Sequence, residues 1–193
     1  MHHNRPSRRR EKRTPKPLDR TSLRDLALAY VARYATTSGK LERYLARKLR
    51  ERGWDGEGAA DPAALAADFV ERGYIDDAGW AQGRSHSLAA RGYGPRRIAE
   101  DLRAAGIDEH IREDHTQAVL EARRAAVRLA RRRRFGPFSG DDPKLDERAG
   151  REKQLAAMVR AGHDFATARR VIEARGEAEL LEWVAEAQED DNR

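Results

Sequence analysis

In the stretch Ile98-Ala99-Glu100-Asp101-Leu102-Arg103-Ala104-Ala105-Gly106-Ile107, an amphipathic helix runs into a glycine that is followed by a bulky residue, with Leu102 four positions before the glycine. The same arrangement stands at Leu49 with Gly53-Trp54 and at Met158 with Gly162-His163, so it recurs about every fifty residues. A period of that size without strand-like alternation predicts stacked helical units, each too small to bury its apolar face alone. The expected fold is all-α, an elongated array of tandem three-helix repeats. Such an array offers a binding surface rather than an enzyme pocket.

Working outward from that stretch, apolar residues at steps of three and four mark the helices. Leu23, Leu26, Ala27, Tyr30, Val31 and Tyr34 share a face, with Ser22 as the expected cap. Leu41, Tyr44, Leu45 and Leu49 follow, ended by Gly53. Asp61-Pro62 supplies an N-cap and first-turn proline for Leu65, Ala66, Phe69 and Val70. The next unit opens at Asp76-Asp77, continues through Trp80, Ala81 and Leu88, breaks at Gly92-Tyr93-Gly94 and restarts at Pro95. After Gly106, a helix capped by Asp108 is expected to hold Ile111, His115 and Val119. A pattern through Ala122, Ala126, Val127 and Ala130 leads to a loop near 136–143, and three more segments surround Met158, Val171 and Leu180. The predicted organisation is a basic arm at 1–20, repeats at 21–75, 76–121 and 122–185, and an acidic tail at 186–193.

Charge sharpens this picture. Residues 1–20 carry eight basic side chains against Glu11 and Asp19, broken by Pro6, Pro15 and Pro17, which predicts a disordered arm. Its six excess positive charges equal the formal net charge of the 193-residue chain, +6. The remainder is balanced in sum but uneven: Arg123, Arg124, Arg128 and Arg131 to Arg134 form a run without acids, whereas acids crowd the C-terminal end. A strongly dipolar body is therefore expected, its basic stretch a candidate phosphate-binding face. The chain has no cysteine, which excludes disulfides and cysteine-ligated metal. No stretch approaches the roughly 18 apolar residues needed to span a bilayer, and the expected setting is the cytoplasm.

Catalytic chemistry is missing. Gly92-Tyr93-Gly94 lacks a preceding strand, and arginine stands where a dinucleotide loop needs its third glycine. Gly39-Lys40 lacks the rest of a phosphate-binding loop. His110 with Asp114, and Glu113 with His115, read as solvated helix-surface residues rather than metal ligands. Asp76-Asp77 reads as a helix cap with a favourable dipole interaction. No catalytic residue, metal site or cofactor is expected.

The residues Asp76, Asp77, Trp80, Gly92, Tyr93, Gly94, Pro95, Ile98, Leu102 and Gly106 together resemble the central signature of the RecX family, with Trp80 where the family usually has phenylalanine. The likeness runs from about Leu23 to Ile172. It implies tandem three-helix repeats and a regulator that binds the RecA recombinase filament on single-stranded DNA, limiting filament growth and lowering ATPase, strand-exchange and co-protease activity in DNA repair, recombination and SOS control. A monomer is expected, lying along the filament and reaching several subunits, where individually weak contacts add.

Within that reading the candidate contacts are Arg91, Arg96 and Arg97 in the signature and Arg131, Arg132, Arg133 and Arg134 in the basic run. Arg96 and Arg97 occupy a helix's first turn, where the dipole opposes them by up to about 1 kcal/mol unless an anion compensates. Tyr93 and Ile98 are expected inside, and Trp54 and Trp80 as core anchors. The basic face would turn toward single-stranded DNA or toward acidic partner surfaces, and the acidic end toward basic partner loops. Two other readings stay open: a helix-turn-helix-like DNA-binding regulator, which needs a recognition helix and usually a dimer, and a helical adaptor that recognises protein only.

Overall fold

A computed structural model describes residues 16–114, 118–140 and 148–191. Most of the basic arm, His115 and part of the 136–143 loop lie outside the described residues. The fold is all-α: the described residues form ten α-helices and one 3-10 turn at Gly136–Phe138. They are α1 (Arg20–Arg33), α2 (Ser38–Arg52), α3 (Pro62–Glu71), α4 (Asp77–Ala90), α5 (Pro95–Ala105), α6 (Glu109–Asp114), α7 (Val119–Arg133), α8 (Arg148–Arg160), α9 (Phe165–Glu173) and α10 (Glu177–Asp191).

Three separate cores divide these helices. Leu18, Leu23, Leu41, Leu45, Phe69 and Ile75 form the first, from α1 to α3. Ala81, Leu88, Ile98, Leu102, Ala105 and Ile107 form the second. The third joins Val127, Leu129 and Ala130 of α7 to Met158, Val171, Ile172 and Leu180 of α8 to α10. Each is small, so each unit depends on its neighbours for stability.

Local chemistry explains the helix starts. Asp19, not Ser22, is the N-cap of α1: its carboxylate accepts from the Ser22 amide at 2.7 Å while the Ser22 hydroxyl accepts from the Asp19 amide at 2.9 Å. Asp61 caps α3 with Pro62 behind it, and Asp76 caps α4 by accepting from the Gly79 amide at 2.8 Å. Such caps are each worth about 1 kcal/mol.

Several boundaries differ from the sequence-based expectation. Leu18, counted with the arm, is fully buried, and its backbone bonds to Gly53 and Asp55 beside Trp54. Val119 begins α7 instead of ending the preceding helix, so a division after residue 121 would cut through α7. The segment around Leu180 is a fourth helix of the third unit, α10, and it runs on to Asp191, through much of the expected acidic tail.

The units join through helix ends. At the first junction the N-terminus of α2 meets the C-terminus of α5: the Thr37 hydroxyl donates to the Ala105 carbonyl at 2.6 Å and Arg43 donates to the Ala104 carbonyl at 2.9 Å. At the second, the N-terminus of α5 meets the end of α8: the Gly94 amide donates to the Ala161 carbonyl at 2.9 Å and the Arg96 amide to the Gly162 carbonyl at 3.2 Å. The middle helices α8, α5 and α2 thus follow one another head to tail, with the negative end of each dipole against the positive end of the next.

Backbone must touch backbone for this to work. A Cβ on Gly39 would lie 2.7 Å from the Gly106 Cα, and one on Gly94 would lie 2.5 Å from the Gly162 carbonyl carbon. Gly162 also has φ +95°, and a Cβ there would lie 2.4 Å from the Arg97 nitrogen. Gly162→Ala is therefore expected to cost more than about 2 kcal/mol, combining left-handed strain with a backbone clash. In thermal unfolding that is a drop of at least about 4 °C. Gly176→Ala, placed in open space, is the matched control and should change the midpoint little.

Candidate partner-binding face

The signature residues assemble around the two junctions. Asp76 caps its own helix, but Asp77 reaches across to the first unit. Its carboxylate accepts from the Ser38 amide at 2.9 Å and the Ser38 hydroxyl at 2.5 Å, and it is 8% exposed. An acidic pair that reads in sequence as one cap therefore serves two helices, α4 and α2. A carboxylate at the N-terminus of α2 also meets that helix's positive dipole end.

Trp80 packs against the second core and presents its ring to Lys40 of α2, whose Nζ lies 3.9 Å from the ring centroid. Burial, with Arg84 nearby, pushes the Lys40 ammonium pKa below its usual value. Arg84 binds Asp101 through two 2.7 Å hydrogen bonds, tying α4 to α5 and holding the Asp101 carboxyl below the usual range. Bidentate pairs of this kind fix geometry as well as energy.

Gly92, Tyr93, Gly94 and Pro95 form the turn between α4 and α5, with Pro95 at the first helical position. Gly92 approaches the Leu129 backbone of α7 so closely that a Cβ would lie 2.9 Å from the Leu129 nitrogen. Tyr93 is half-buried against the second core, Ile98 and Leu102 lie inside it, and Gly106 ends α5 at the first junction. These residues build the scaffold.

His163 completes the second junction. It is 1% exposed, and its Nε2 lies 3.0 Å from the Gly92 carbonyl. Since a carbonyl only accepts, Nε2 carries the proton in that bond. The buried Nδ1 has no hydrogen-bond partner. A second proton there would be an unsatisfied buried charge, and burial accordingly lowers the imidazole pKa despite the Gly92 bond.

The candidate arginines have unequal surroundings. Arg91 is exposed, with its guanidinium 5.3 Å from the Tyr93 ring centroid. Arg97 pairs with Glu100 at 3.3 Å, both side chains more than half exposed. Arg96 and Arg97 do sit in the first turn of α5, but the expected anion is internal. The α8-terminal carbonyls face that helix end; Asp164 stands there too, its carboxyl raised by burial but held below its usual range by bonds from Thr167, with a smaller pull from Arg96. The dipole argument for an external phosphate at this position therefore falls away.

The basic run is also partly satisfied from within. Helix α10 lies against α7 and returns its acids to the arginines: Arg131 pairs with Glu177, and Arg123 with Glu186 at 3.6 Å. Arg124 bonds Gln188 at 3.3 Å, and Glu121 pairs with both Arg124 and Arg128. The expected separation of a basic face from a distant acidic end is thus corrected: hydrophobic packing of Leu180 and Trp183 onto the third core folds the acids over the bases. Arg132, Arg133 and Arg134 remain exposed, without an ion pair among the described residues. Arg132 and Arg133 sit in the last turn of α7, where the helix dipole favours cations. Because Gly92 packs on Leu129, the junction brings the Arg91 turn beside the helix that carries this cluster.

Among the described residues no group of three or more His, Asp or Glu could hold a metal ion. No helix among them is long and apolar enough to cross a membrane.

Comparisons with known proteins agree with this architecture. Residues 76–115 match the family model described as RecX, second three-helix domain. The regulatory protein RecX of Myxococcus xanthus is 34% identical over 180 residues, covering 88% of this chain and 95% of that one. The protein of the same name from Agrobacterium fabrum is 30% identical over 155 residues, covering 77% and 80%. The crystal structure of RecX from Lactobacillus salivarius shares the fold at a TM-score of 0.56 and 20% identity, over 79% of this chain and 94% of that one.

The buried imidazole gives a pH dependence with a definite sign. Its folded-state pKa lies below the unfolded value of about 6.5, so the unfolded chain binds the extra proton first. The contribution of His163 is present above about pH 6.5 and is lost as pH falls through the folded-state value. Urea titrations at falling pH should show stability dropping in that window, and His163→Gln should flatten the dependence.

Proposed function

This chain belongs to the RecX family of regulatory proteins, and on that premise we propose that it binds the RecA recombinase and its filament on single-stranded DNA in the cytoplasm. In this reading it is a monomer that limits the filament's ATPase, strand exchange and co-protease activity. It supplies no chemistry of its own. The work is mechanical: consecutive units span neighbouring subunits of a repeating partner, and ATP hydrolysis belongs to that partner.

One observation carries the reading beyond family membership. Among the described residues Arg132, Arg133 and Arg134 have no ion pair, in a region where acids are folded back onto their neighbours. They lie at the end of α7, the helix on which the Gly92 turn that carries Arg91 packs. An exposed cationic cluster next to a rigid backbone junction is suited to phosphates or acidic loops of a filament, since its position is fixed by both units at once. The acidic face of α10 serves mainly to shape this cluster. Arg131, paired to Glu177, plays the smaller part.

The test measures ATP turnover by RecA on single-stranded DNA as this protein is added below equimolar amounts. Turnover should fall at substoichiometric ratios. A variant with Arg132, Arg133 and Arg134 all changed to Gln should need roughly ten times more protein for the same effect, from three contacts of about 0.5 kcal/mol each. Turnover that stays constant at every ratio of the wild-type protein would contradict the reading.

A further inference from the structure

The first unit carries a surface of different chemistry, which the RecX signature does not include. Tyr30 on α1, Tyr34 at the extended cap just past its end, and Tyr44 on α2 form a continuous aromatic strip: Tyr30 stacks on Tyr44 at 4.3 Å and 18°, and Tyr34 lies 5.4 Å from Tyr30 with its ring tilted by 52°. Tyr30 and Tyr44 lean on the first core. Tyr34 is not among the residues packed against that core and is 52% exposed. These rings line an open groove of about 600 Å³ together with Arg33, Arg47 and Lys48.

The cations are placed along the rings. Arg47 and Lys48 stand 5.5 and 5.9 Å from the Tyr44 centroid. Both also approach Glu51, at 3.6 and 2.6 Å; the Arg47 pair is about half exposed, so a phosphate would compete for that guanidinium at little cost. Arg33, in the last turn of α1, is exposed and has no ion pair among the described residues. A purely structural aromatic cluster would bury its outermost ring. This one leaves the Tyr34 ring 52% exposed in a groove that Arg33 and Arg47 also line.

We propose that this groove is a single-stranded nucleic-acid site, in which unpaired bases stack on Tyr34 and the Tyr30–Tyr44 pair while Arg33, Arg47 and Lys48 hold the backbone phosphates. Alternating π-faces and cations are what single strands recognise, and paired bases in a duplex cannot offer their faces to a side chain. The site lies on the first unit, apart from the arginine cluster of α7. It deepens the reading given above by assigning the single strand its own contact, and in that respect rests on it.

The test uses the full chain and a fluorescein-labelled oligothymidylate of about 20 nucleotides, without recombinase, followed by fluorescence anisotropy at about 50 mM salt. Tyr34→Ala should weaken binding about tenfold, the loss of one stacked base, whereas Tyr34→Phe should bind like the wild type. Arg33→Gln should reduce the slope of log K against log salt by about 0.7. Thermal unfolding checks each variant, and if Tyr34→Ala lowers the midpoint, Tyr34→Leu carries the comparison with Tyr34→Phe.

Three results would overturn the proposal: no binding of the oligonucleotide by the wild type, equal binding by the ring-deleted and wild-type proteins, or equal losses in Tyr34→Phe and the ring-deleted variant. If the groove instead receives protein, the first of these is what will be seen. A wild type that lowers recombinase ATP turnover yet ignores the oligonucleotide would refute this site and leave the regulatory reading intact. The reverse pattern would refute the regulatory reading alone.

Discussion

Helix ends meeting helix ends hold this molecule together. The first-turn amides of an α-helix and its last-turn carbonyls have no partners inside the helix. Here α5 gives its last carbonyls to Thr37 and Arg43 of the first unit and receives carbonyls from α8 through the Gly94 and Arg96 amides. The arrangement satisfies polar groups that the small cores could not afford to bury unpaired, and it aligns three dipoles. It also requires main chains in direct contact, which is why glycine stands on both sides of each junction.

This explains what was and was not legible in the sequence. The helix ends were visible at Gly53, Gly106 and Gly162, as were the Asp61-Pro62 and Pro95 starts, because those signals are local. The pairing of Gly106 with Gly39, and of Gly162 with Gly94, was not. Nothing near Gly39 announces a neighbour 67 positions away. Asp77 was hidden for the same reason: next to Asp76 it reads as part of one cap, and only the fold shows that its carboxylate belongs to Ser38. Leu18 was lost in a basic segment, though one apolar residue before Asp19 is a signal that a docked chain end leaves.

The candidate site was legible in its members but not in its balance. Counting charges along the chain separates bases from acids, while packing brings α10 back onto α7 and pairs them. What stays exposed is a smaller cluster at the end of α7. Likewise the first turn of α5 looked short of an anion, and the end of α8 with Asp164 provides the compensation. The tyrosine groove was missed because Tyr30, Tyr34 and Tyr44 fit a helical stripe, and spacing alone does not distinguish a ring that reaches the core from one left outside it.

Consecutive units dock end to end through hydrogen bonds to the open backbone groups at their helix ends. Hydrogen exchange of individual amides in the native protein tests it most directly, because first-turn amides of a helix with a free end exchange readily. The account predicts that the Gly94, Arg96 and Ser38 amides are protected to nearly the level of the helix interiors, since their acceptors lie in the adjoining unit. Exchange of these three at the rate of open chain, with helix interiors still protected, would show that the units do not dock in this way and would contradict the account.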